Sequence, residues 1–306
     1  MITTNSNVQR VNVQPARPVV ETNYNGRRHP RVQGGHPQPT VPTIKYHSIP
    51  IPRNTIGPTE DYHPKIAVLL HIYYDDLVEE LLSYLKGFEM PFDLYVSLAS
   101  DAFPNSTQEV RSKEDRIRAV YPSAHIETVP NRGKDIGGKL ILLKHVLTVG
   151  YDFFIFAHDK QTYRWKNRTH AADWRHELLK ACFDKHIARD ILHAFQTNSN
   201  LGMCGARIND GIISSLQFTG HNINYSLIQK CYSTHFGKLP NTGAFIGGTM
   251  FWVRASIFTN AFTLDKINSI ISTLELGDVN DPSNAHAMER IFGIIATASG
   301  YKIGII

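Results

Sequence analysis

The chain has 306 residues, of which 42% are hydrophobic, so one large domain or two small ones can bury a proper core. Its formal net charge of +5 is unevenly distributed: residues 1–53 hold seven Arg or Lys against one acid, so the remainder is near neutral and the high pI does not predict nucleic-acid binding. Three widely spaced cysteines give neither a disulfide framework nor a cysteine zinc site, and no apolar run approaches the ~20 residues of a membrane span, which together predict a cytoplasmic protein.

The first 60 residues differ in composition from the rest. Ten of the sixteen prolines lie at or before Pro64, and large apolar residues are few. Such a segment buries too little apolar surface to offset the entropy of ordering it. Residues 1–60 are therefore predicted to be a disordered, basic, proline-rich tail, followed by a folded domain at residues 61–306. The alternative is a basic arm that contacts a membrane surface peripherally, a polyanion or an assembly partner.

Strands and helices alternate from Lys65 onwards. The pattern predicts strands at 66–72, 94–98, 125–129 and 151–157, separated by helices at 75–88, 106–120 and 137–148. Repeated strand–helix units with short connections predict an α/β fold with a doubly wound, mostly parallel sheet flanked by helices. The first strand is followed neither by Gly-x-Gly-x-x-Gly nor by a P-loop, which argues against a dinucleotide-binding enzyme and a P-loop enzyme.

The second half of the chain is less regular. It predicts helices at 171–183 and 186–197, a strand at 201–206, a helix near 226–232, a glycine-broken strand at 243–253 and a strong helix at 285–299. The apolar residues 301–306 are typical of a strand that the sequence cuts short, as in a piece of a longer chain.

A polar, glycine-containing turn follows the third predicted strand. It brings an amide, two cations and a carboxylate to the start of a helix, in the order Asn131, Arg132, Gly133, Lys134, Asp135. Backbone N–H groups and the helix dipole favour a phosphate there, and the side chains add donors, so the turn is a candidate site for an anion or a ribose. The alternative is an ordinary turn with Asn131 and Asp135 as local caps.

The fourth predicted strand ends in His158, Asp159 and Lys160. In open α/β sheets ligands bind outside the carboxyl ends of strands, so this cluster should meet the Asn131 turn at one edge. Asp159 is a candidate ligand for Mn²⁺ or Mg²⁺, although a metal site on a diphosphate usually has two carboxylates. His158 and Lys160 are candidates to neutralise a diphosphate without a metal. The alternative is a solvated strand end.

Two helical motifs add further candidates. Arg175 follows Trp174 near a helix start and could reach a phosphate, but a surface salt bridge is equally compatible with the sequence. His286 and Glu289 lie three residues apart on one helix face, so Glu289 is a candidate general base for a hydroxyl. The alternative is a helix-surface ion pair between Glu289 and Arg290.

Taken in order, these motifs resemble the rhamnan synthesis protein F family over residues 65–303. The motifs are Pro130-Asn131-Arg132-Gly133-Lys134-Asp135-Ile136-Gly137, Ala157-His158-Asp159-Lys160, Trp174-Arg175, Gly248-Thr249-Met250-Phe251-Trp252-Val253-Arg254 and His286-Ala287-Met288-Glu289-Arg290-Ile291-Phe292-Gly293. The resemblance implies a GT-A-like glycosyltransferase of cell-surface polysaccharide synthesis, with a nucleotide-sugar donor and a glycan acceptor. His-Asp-Lys replaces the Asp-x-Asp of ordinary GT-A enzymes, which leaves metal dependence open.

The resemblance also assigns roles to single residues. The resemblance implies that Asn131, Arg132 and Asp135 hold the nucleoside and that His158 and Lys160 hold the diphosphate. The other residues assigned to donor binding are Lys134, Asp159 and Arg175. Glu289 is implied as the catalytic base with His286 beside it, and Thr249 and Trp252 as acceptor contacts.

The leading hypothesis is an inverting glycosyltransferase that moves a sugar, with L-rhamnose as the candidate, from a nucleotide diphosphate to a hydroxyl of a growing glycan. The alternative is a non-catalytic protein that binds a glycan or nucleotide sugar, or that scaffolds polysaccharide assembly. A sugar hydrolase is disfavoured because glycoside hydrolysis requires two facing acids and this strand end is rich in cations.

Overall fold

A computed structural model describes residues 48–53, 62–101, 103, 108–161, 168–206, 216–217 and 223–306. Most of the predicted tail, residues 1–47 and 54–60, lies outside these ranges. Within them, no helix combines the length and the apolar character needed to cross a bilayer.

The described strands form an eight-stranded sheet and a small two-stranded sheet. In chain order they are β1 (Ser48–Pro50), β2 (Ile66–Ile72), β3 (Asp93–Ser100), β4 (His125–Pro130), β5 (Phe153–His158), β6 (Leu201–Gly205), β7 (Leu216–Gln217), β8 (Thr242–Gly243), β9 (Phe251–Arg254) and β10 (Lys302–Ile305). The large sheet has the order β1-β10-β6-β9-β5-β2-β3-β4, and all neighbours are parallel except the two pairs that contain β9. The predicted mostly parallel α/β sheet is confirmed.

Helices cover both faces of this sheet. They are α1 (Val78–Gly87), which a short 3₁₀ turn at Asp75–Leu77 precedes, α2 (Gln108–Val120), α3 (Lys134–Val146), α4 (Arg168–Phe183), α5 (Lys185–Thr197), α6 (Tyr225–His235), α7 (Ala255–Ala261), α8 (Leu264–Thr273) and α9 (Asn284–Ala298). One core lies between the sheet and α1, α2, α4 and α5. A second core lies on the other face with α3 and α6 to α9.

The sheet changes direction at β2. The chain runs outward through β2, β3 and β4, and α3 then returns it to β5 on the other side of β2. Both β2 and β5 are buried along their whole length, which explains their unbroken apolar sequences. Their carboxyl ends flank the point where the strand order reverses, and ligands of open α/β sheets bind at such points.

One strand lies where the sequence predicts tail. Residues 48–50 pair in parallel with β10, and Ile51 packs into the core at 5% exposure. A three-residue strand ending in proline has too few residues for a periodic pattern, and proline is tolerated there because β1 is an edge strand. The tail boundary at residue 60 is therefore wrong for this segment.

The predicted strand at 243–253 is also wrong over most of its length. Only Thr242–Gly243 and Phe251–Arg254 are strands, and a buried loop joins them. Gly248 and Thr249 have φ angles of +83° and +53°, which a β-strand does not allow. The helices α7 and α8 were not predicted.

Candidate active site

The polar residues at the carboxyl ends of β2 and β5 meet the first turns of α3. Asp135 lies in the first turn of α3, and its carboxylate Oδ2 is 3.5 Å from Nδ1 of His158, the last residue of β5. His158 is 5% exposed, and the Asp135 side chain is 16% exposed. The structure therefore brings together the two clusters that the sequence places at one edge of the sheet.

Lys139 fills the space between them. Its Nζ lies 2.8 Å from Oδ2 of Asp135, 2.8 Å from Nδ1 of His158 and 2.7 Å from the backbone oxygen of Thr249. An ammonium group has three N–H donors, and here each of them has an acceptor. The side chain is fully buried, so these contacts replace all of its hydration. Lys139 thus ties α3 to β5 and to the loop before β9.

The charges in this cluster shift its pKa values. Burial alone would raise the pKa of Asp135, but the charge of Lys139 and its hydrogen bond outweigh that effect and hold the pKa well below its usual value. Burial lowers the pKa of Lys139, and the carboxylate of Asp135 opposes this change. Burial also lowers the pKa of His158 well below its usual value. A neutral His158 that accepts from Lys139 at Nδ1 carries its proton on Nε2.

A row of polar side chains continues from His158 across the sheet. His71 is the register partner of His158, Ser97 is the partner of His71, and Nδ1 of His71 is 2.9 Å from Oγ of Ser97. Burial lowers the pKa of His71 to about 4. Helix α3 crosses this row at Gly138, where an added Cβ would lie 2.1 Å from Nδ1 of His71. Glycine permits the close approach that buries the row.

Asp159 holds the end of β2. Its Oδ2 accepts hydrogen bonds from the backbone N–H groups of Tyr73, at 2.7 Å, and Tyr74. Burial raises the pKa of Asp159 to about 7, although these two hydrogen bonds act in the opposite direction. The carboxylate thus joins β5 to the segment that follows β2.

A divalent cation does not fit these donors. Mn²⁺ and Mg²⁺ take several oxygen ligands, chiefly carboxylates. Oδ2 of Asp159 already accepts two backbone N–H groups, and the carboxylate of Asp135 is paired with the buried ammonium of Lys139. The fit therefore fails at Asp159, the residue for which a metal was considered.

Asn131 lies at the outer side of the same edge. Its Nδ2 donates to Oδ1 of Asp101 at 2.8 Å, and the hydroxyl of Tyr73 donates to Oδ2 of the same carboxylate at 2.7 Å. Asp101 follows β3, so it links the segments after β2 and β4. Asp101 is exposed, so this group lies at the surface of the edge.

Arg132 and Lys134 contact the segment after α8 instead. Arg132 donates from its guanidinium to the backbone oxygen of Leu274 at 2.6 Å, and Lys134 forms an ion pair with Asp278 at 2.8 Å. Gly133 between them has φ +68° and donates to the backbone oxygen of Glu275. These contacts position the turn, and leave the donor-binding roles of both cations as predictions.

Arg175 forms the salt bridge that the sequence left open as an alternative. Its Nε and one terminal nitrogen donate to the two carboxylate oxygens of Glu80 at 2.9 Å, and the other donates to the backbone oxygen of Lys160 at 2.9 Å. These contacts position Arg175, and its role on the donor stays a prediction. Arg175 also holds Lys160, whose ammonium lies 4.1 Å from the centre of the Trp174 ring. Burial lowers the pKa of Lys160.

Glu289 contacts the same loop as Lys139. Its Oε1 accepts from the backbone N–H of Gly248 at 2.6 Å, and its Oε2 pairs with Arg290 at 2.9 Å. The side chain is 16% exposed. His286, one turn earlier, contacts Ser283 and Asp281 through Nδ1, and burial lowers its pKa. The predicted ion pair with Arg290 is present, and so is a contact with the site loop.

Neither predicted acceptor residue is open to solvent. Trp252 is fully buried, and its Nε1 donates to the backbone oxygen of Cys182 at 3.1 Å. On β9 its side chain faces the core beneath α4 and α5, which contradicts the predicted acceptor contact. Thr249 is 3% exposed and contributes its backbone oxygen to Lys139.

The sequence analysis missed Lys139, His71 and Asp101. The i to i+4 spacing of Asp135 and Lys139 was a usable signal, because such pairs meet on one helix face. Lys139 lies in an otherwise apolar stretch, Gly137-Gly138-Lys139-Leu140, which marks its face as buried. His71 interrupts the apolar run of β2 near its carboxyl end, where a functional side chain is expected.

Comparison with known proteins identifies relatives of most of the chain. A family model described as rhamnan synthesis protein F matches residues 39–301. Two proteins described as uncharacterized protein WxcX, from two strains of Xanthomonas campestris pv. campestris, are each 25% identical over 248 residues. That alignment covers 80% of this chain and 33% of each relative, so the chain spans about a third of the length of these curated relatives. Among solved structures, S. aureus TarS 1–349 is similar with a TM-score of 0.39 and 11% identity, covering 79% of this chain and 58% of TarS.

Proposed function

The chain belongs to the rhamnan synthesis protein F family, and we propose that it is a glycosyltransferase of cell-surface polysaccharide synthesis with a GT-A-like fold. Its donor is a nucleotide diphosphate sugar, and its acceptor is a hydroxyl of a growing glycan. Rhamnan is a polymer of rhamnose, so the family description favours L-rhamnose as the sugar. The observation that carries the proposal is the meeting of Asp135, Lys139 and His158 where the strand order of the sheet reverses.

The charge of this edge favours a diphosphate. Lys160 lies two residues after His158, just beyond the carboxyl end of β5. A neutral His158 with its proton on Nε2 has one N–H left for an oxyanion, because Nδ1 accepts from Lys139. Burial of Lys160 strengthens its attraction for an anion, since the local dielectric constant is low. These two donors are proposed to stabilise the leaving diphosphate.

The chemical step is a displacement at the anomeric carbon. The acceptor oxygen forms the new glycosidic bond, the bond from the anomeric carbon to the diphosphate breaks, and the diphosphate leaves with the electron pair. The acceptor proton passes to a carboxylate, for which Glu289 is the candidate. A single displacement of this kind inverts the configuration of the sugar.

Exchange of Glu289 for glutamine tests the base. Glu289→Gln keeps an oxygen that can accept from the N–H of Gly248, so the loop should remain in place. We expect transfer to be abolished while donor binding, measured by isothermal titration, is retained. Glu177→Gln, the same exchange at an exposed position of α4, is the matched control and should retain full turnover. Full turnover in Glu289→Gln would place the base elsewhere.

A second candidate function is binding of a nucleotide sugar or glycan without catalysis. It is favoured by the burial of Lys139, His158 and Asp159, whose polar atoms largely contact other protein groups. Thermal-shift screening with UDP-, GDP- and dTDP-sugars, with and without Mn²⁺, identifies the donor. A ligand at a hundred times its Kd adds about 2.7 kcal/mol of apparent stability. Stabilisation without donor hydrolysis or transfer favours the binding protein, whereas turnover of the same sugar supports the transferase.

A further inference from the structure

A second group of polar side chains lies at the other end of α3. His125 and Glu127 come from β4, and His145 lies in the last turn of α3. Nε2 of His145 is 2.8 Å from Oε2 of Glu127, and the rings of His125 and His145 are 4.4 Å apart between centroids. One ligand atom from each of the three residues lies within 4.8 Å of the other two. In the described part of the chain, no other trio of His, Cys, Asp or Glu has this geometry.

The fold explains why these residues meet. His125 and Glu127 are two residues apart on one strand, so their side chains point to the same face of the sheet. In the register with β3, His125 is the partner of Tyr95 and Glu127 is the partner of Ser97. Ser97 contacts His71 beneath α3, so this is the face that α3 covers. The trio therefore rests on a strand and a helix, which are rigid elements.

We propose that His125, Glu127 and His145 bind one divalent transition-metal ion, with Zn²⁺ as the best fit, and that the ion fastens edge strand β4 to helix α3. Two imidazoles and a carboxylate with an open fourth position are a ligand set that Zn²⁺ accepts in proteins. Tetrahedral Zn²⁺ ligands lie about 3.3 Å apart, given Zn–N and Zn–O bonds of about 2.0–2.1 Å. Small side-chain rotations bring the trio to this spacing, because its members lie at the surface.

The surroundings suit a cation. With both imidazoles neutral the trio carries one negative charge, from Glu127. Arg118, a cation close enough to act on His125, is paired with Glu114 at 2.8 Å. The side chains of His145 and Glu127 are 37% and 39% exposed, which leaves room for a water as fourth ligand.

This site is separate from the candidate active site. Asp135 and His145 are ten residues apart on α3, which corresponds to about 15 Å along a helix. The two sites lie at opposite ends of β4 and α3, so metal binding at the trio is independent of the donor and of the proposed transferase activity.

Zinc titration of the whole chain tests the proposal. Isothermal titration of metal-free protein with ZnCl₂ should reveal a site of one ion per chain, and Zn²⁺ should raise the Tm. His125→Ala, Glu127→Gln and His145→Ala should each weaken binding at this site at least tenfold. The matched control is His63→Ala, an exposed histidine outside the trio, which should bind as the wild type does.

Two results would overturn the proposal. One is the absence of a zinc-dependent rise in Tm in the wild type. The other is a set of trio variants that bind Zn²⁺ as tightly as His63→Ala does, which would assign binding to other histidines. Circular dichroism of each metal-free variant keeps the comparison valid, and Glu127→Gln changes so little volume that its fold should be intact.

Discussion

Helix α3 carries a polar cluster at each end, and the two differ in their access to water. At its start, Lys139 is fully buried and contacts Asp135 and His158. At its end, His145 pairs with Glu127, and more than a third of each side chain is exposed. The same types of contact, an ion pair and an imidazole, therefore occur in one buried and one exposed setting on a single helix.

This difference in exposure predicts that the loss of a partner has different effects in the two clusters. A charge that loses its partner in the interior cannot be rehydrated, so the loss is severe. An exposed pair exchanges its partner for water at little cost, and its atoms remain free to bind another ligand. The buried cluster should therefore dominate stability, and the exposed cluster should be the more adaptable.

The largest effect is expected from Lys139→Met. This change leaves the carboxylate of Asp135 without its cation, and we expect a loss of about 3–5 kcal/mol in the free energy of unfolding, measured by urea denaturation. The double variant Asp135→Leu with Lys139→Met removes both charges and should recover part of that loss. A loss below 1 kcal/mol in the single variant would contradict the buried ion pair.

The second-largest effect is expected from acid, through protonation of His71 in the buried row of polar side chains. The pKa of His71 is about 4 in the folded protein and about 6.5 when unfolded, so the unfolded chain binds the proton first. Stability is therefore highest above pH 6.5 and falls as the pH is lowered to 4, by about 3 kcal/mol for this group. His71→Gln should lose less stability over this range, as measured by urea midpoints at each pH. An unchanged pH dependence would place the titrating group elsewhere.

Gly138→Ala tests the close approach of α3 to the sheet. The new Cβ would lie 2.1 Å from His71 and 2.5 Å from Ser97, so the helix must shift, at a cost of about 1–3 kcal/mol. Gly87→Ala, at the end of α1 with open space around the added Cβ, is the control and should be neutral or slightly stabilising. Equal behaviour of the two variants in thermal unfolding would mean that α3 packs less tightly than described.

The smallest effect is expected at the exposed cluster. His145→Ala in EDTA should change the free energy of unfolding by less than about 1 kcal/mol, because the pair with Glu127 is partly solvated. Urea denaturation beside Lys139→Met makes the contrast direct. A loss as large as that of Lys139→Met would remove the distinction between the two ends of the helix.

The sequence was sufficient to predict the fold where the hydrophobic pattern and the order of strands and helices indicate the same architecture. The apolar runs of β2 and β5, the intervening helices and the abrupt polar strand ends predicted both the parallel sheet and the meeting of Asp135 with His158. The sequence was not sufficient where a contact between distant segments determines the environment of a residue. From the sequence alone, Lys139 is indistinguishable from a surface lysine. Its three acceptors come from α3, β5 and the loop before β9, and only the structure brings them together.

The second half of the chain was harder to predict, because the contacts of its residues also depend on distant segments. Trp252 and Thr249 belong to a motif that resembles a functional one, but the antiparallel β9 directs Trp252 into the core. The sequence around Arg175 is compatible with a phosphate or a carboxylate partner, and only the position of Glu80 on α1 reveals the salt bridge. Such choices depend on residues that are far apart in the sequence.

The small strand β1 has a practical consequence for expressing this protein. It covers one side of β10, and the N–H of Ile51 donates to the oxygen of Ile305 at 2.9 Å. A version trimmed to begin near residue 61 would leave the backbone of β10 open along that side. Unpaired strand edges recruit other chains, so this shorter version should self-associate, whereas one beginning before Ser48 should stay dispersed.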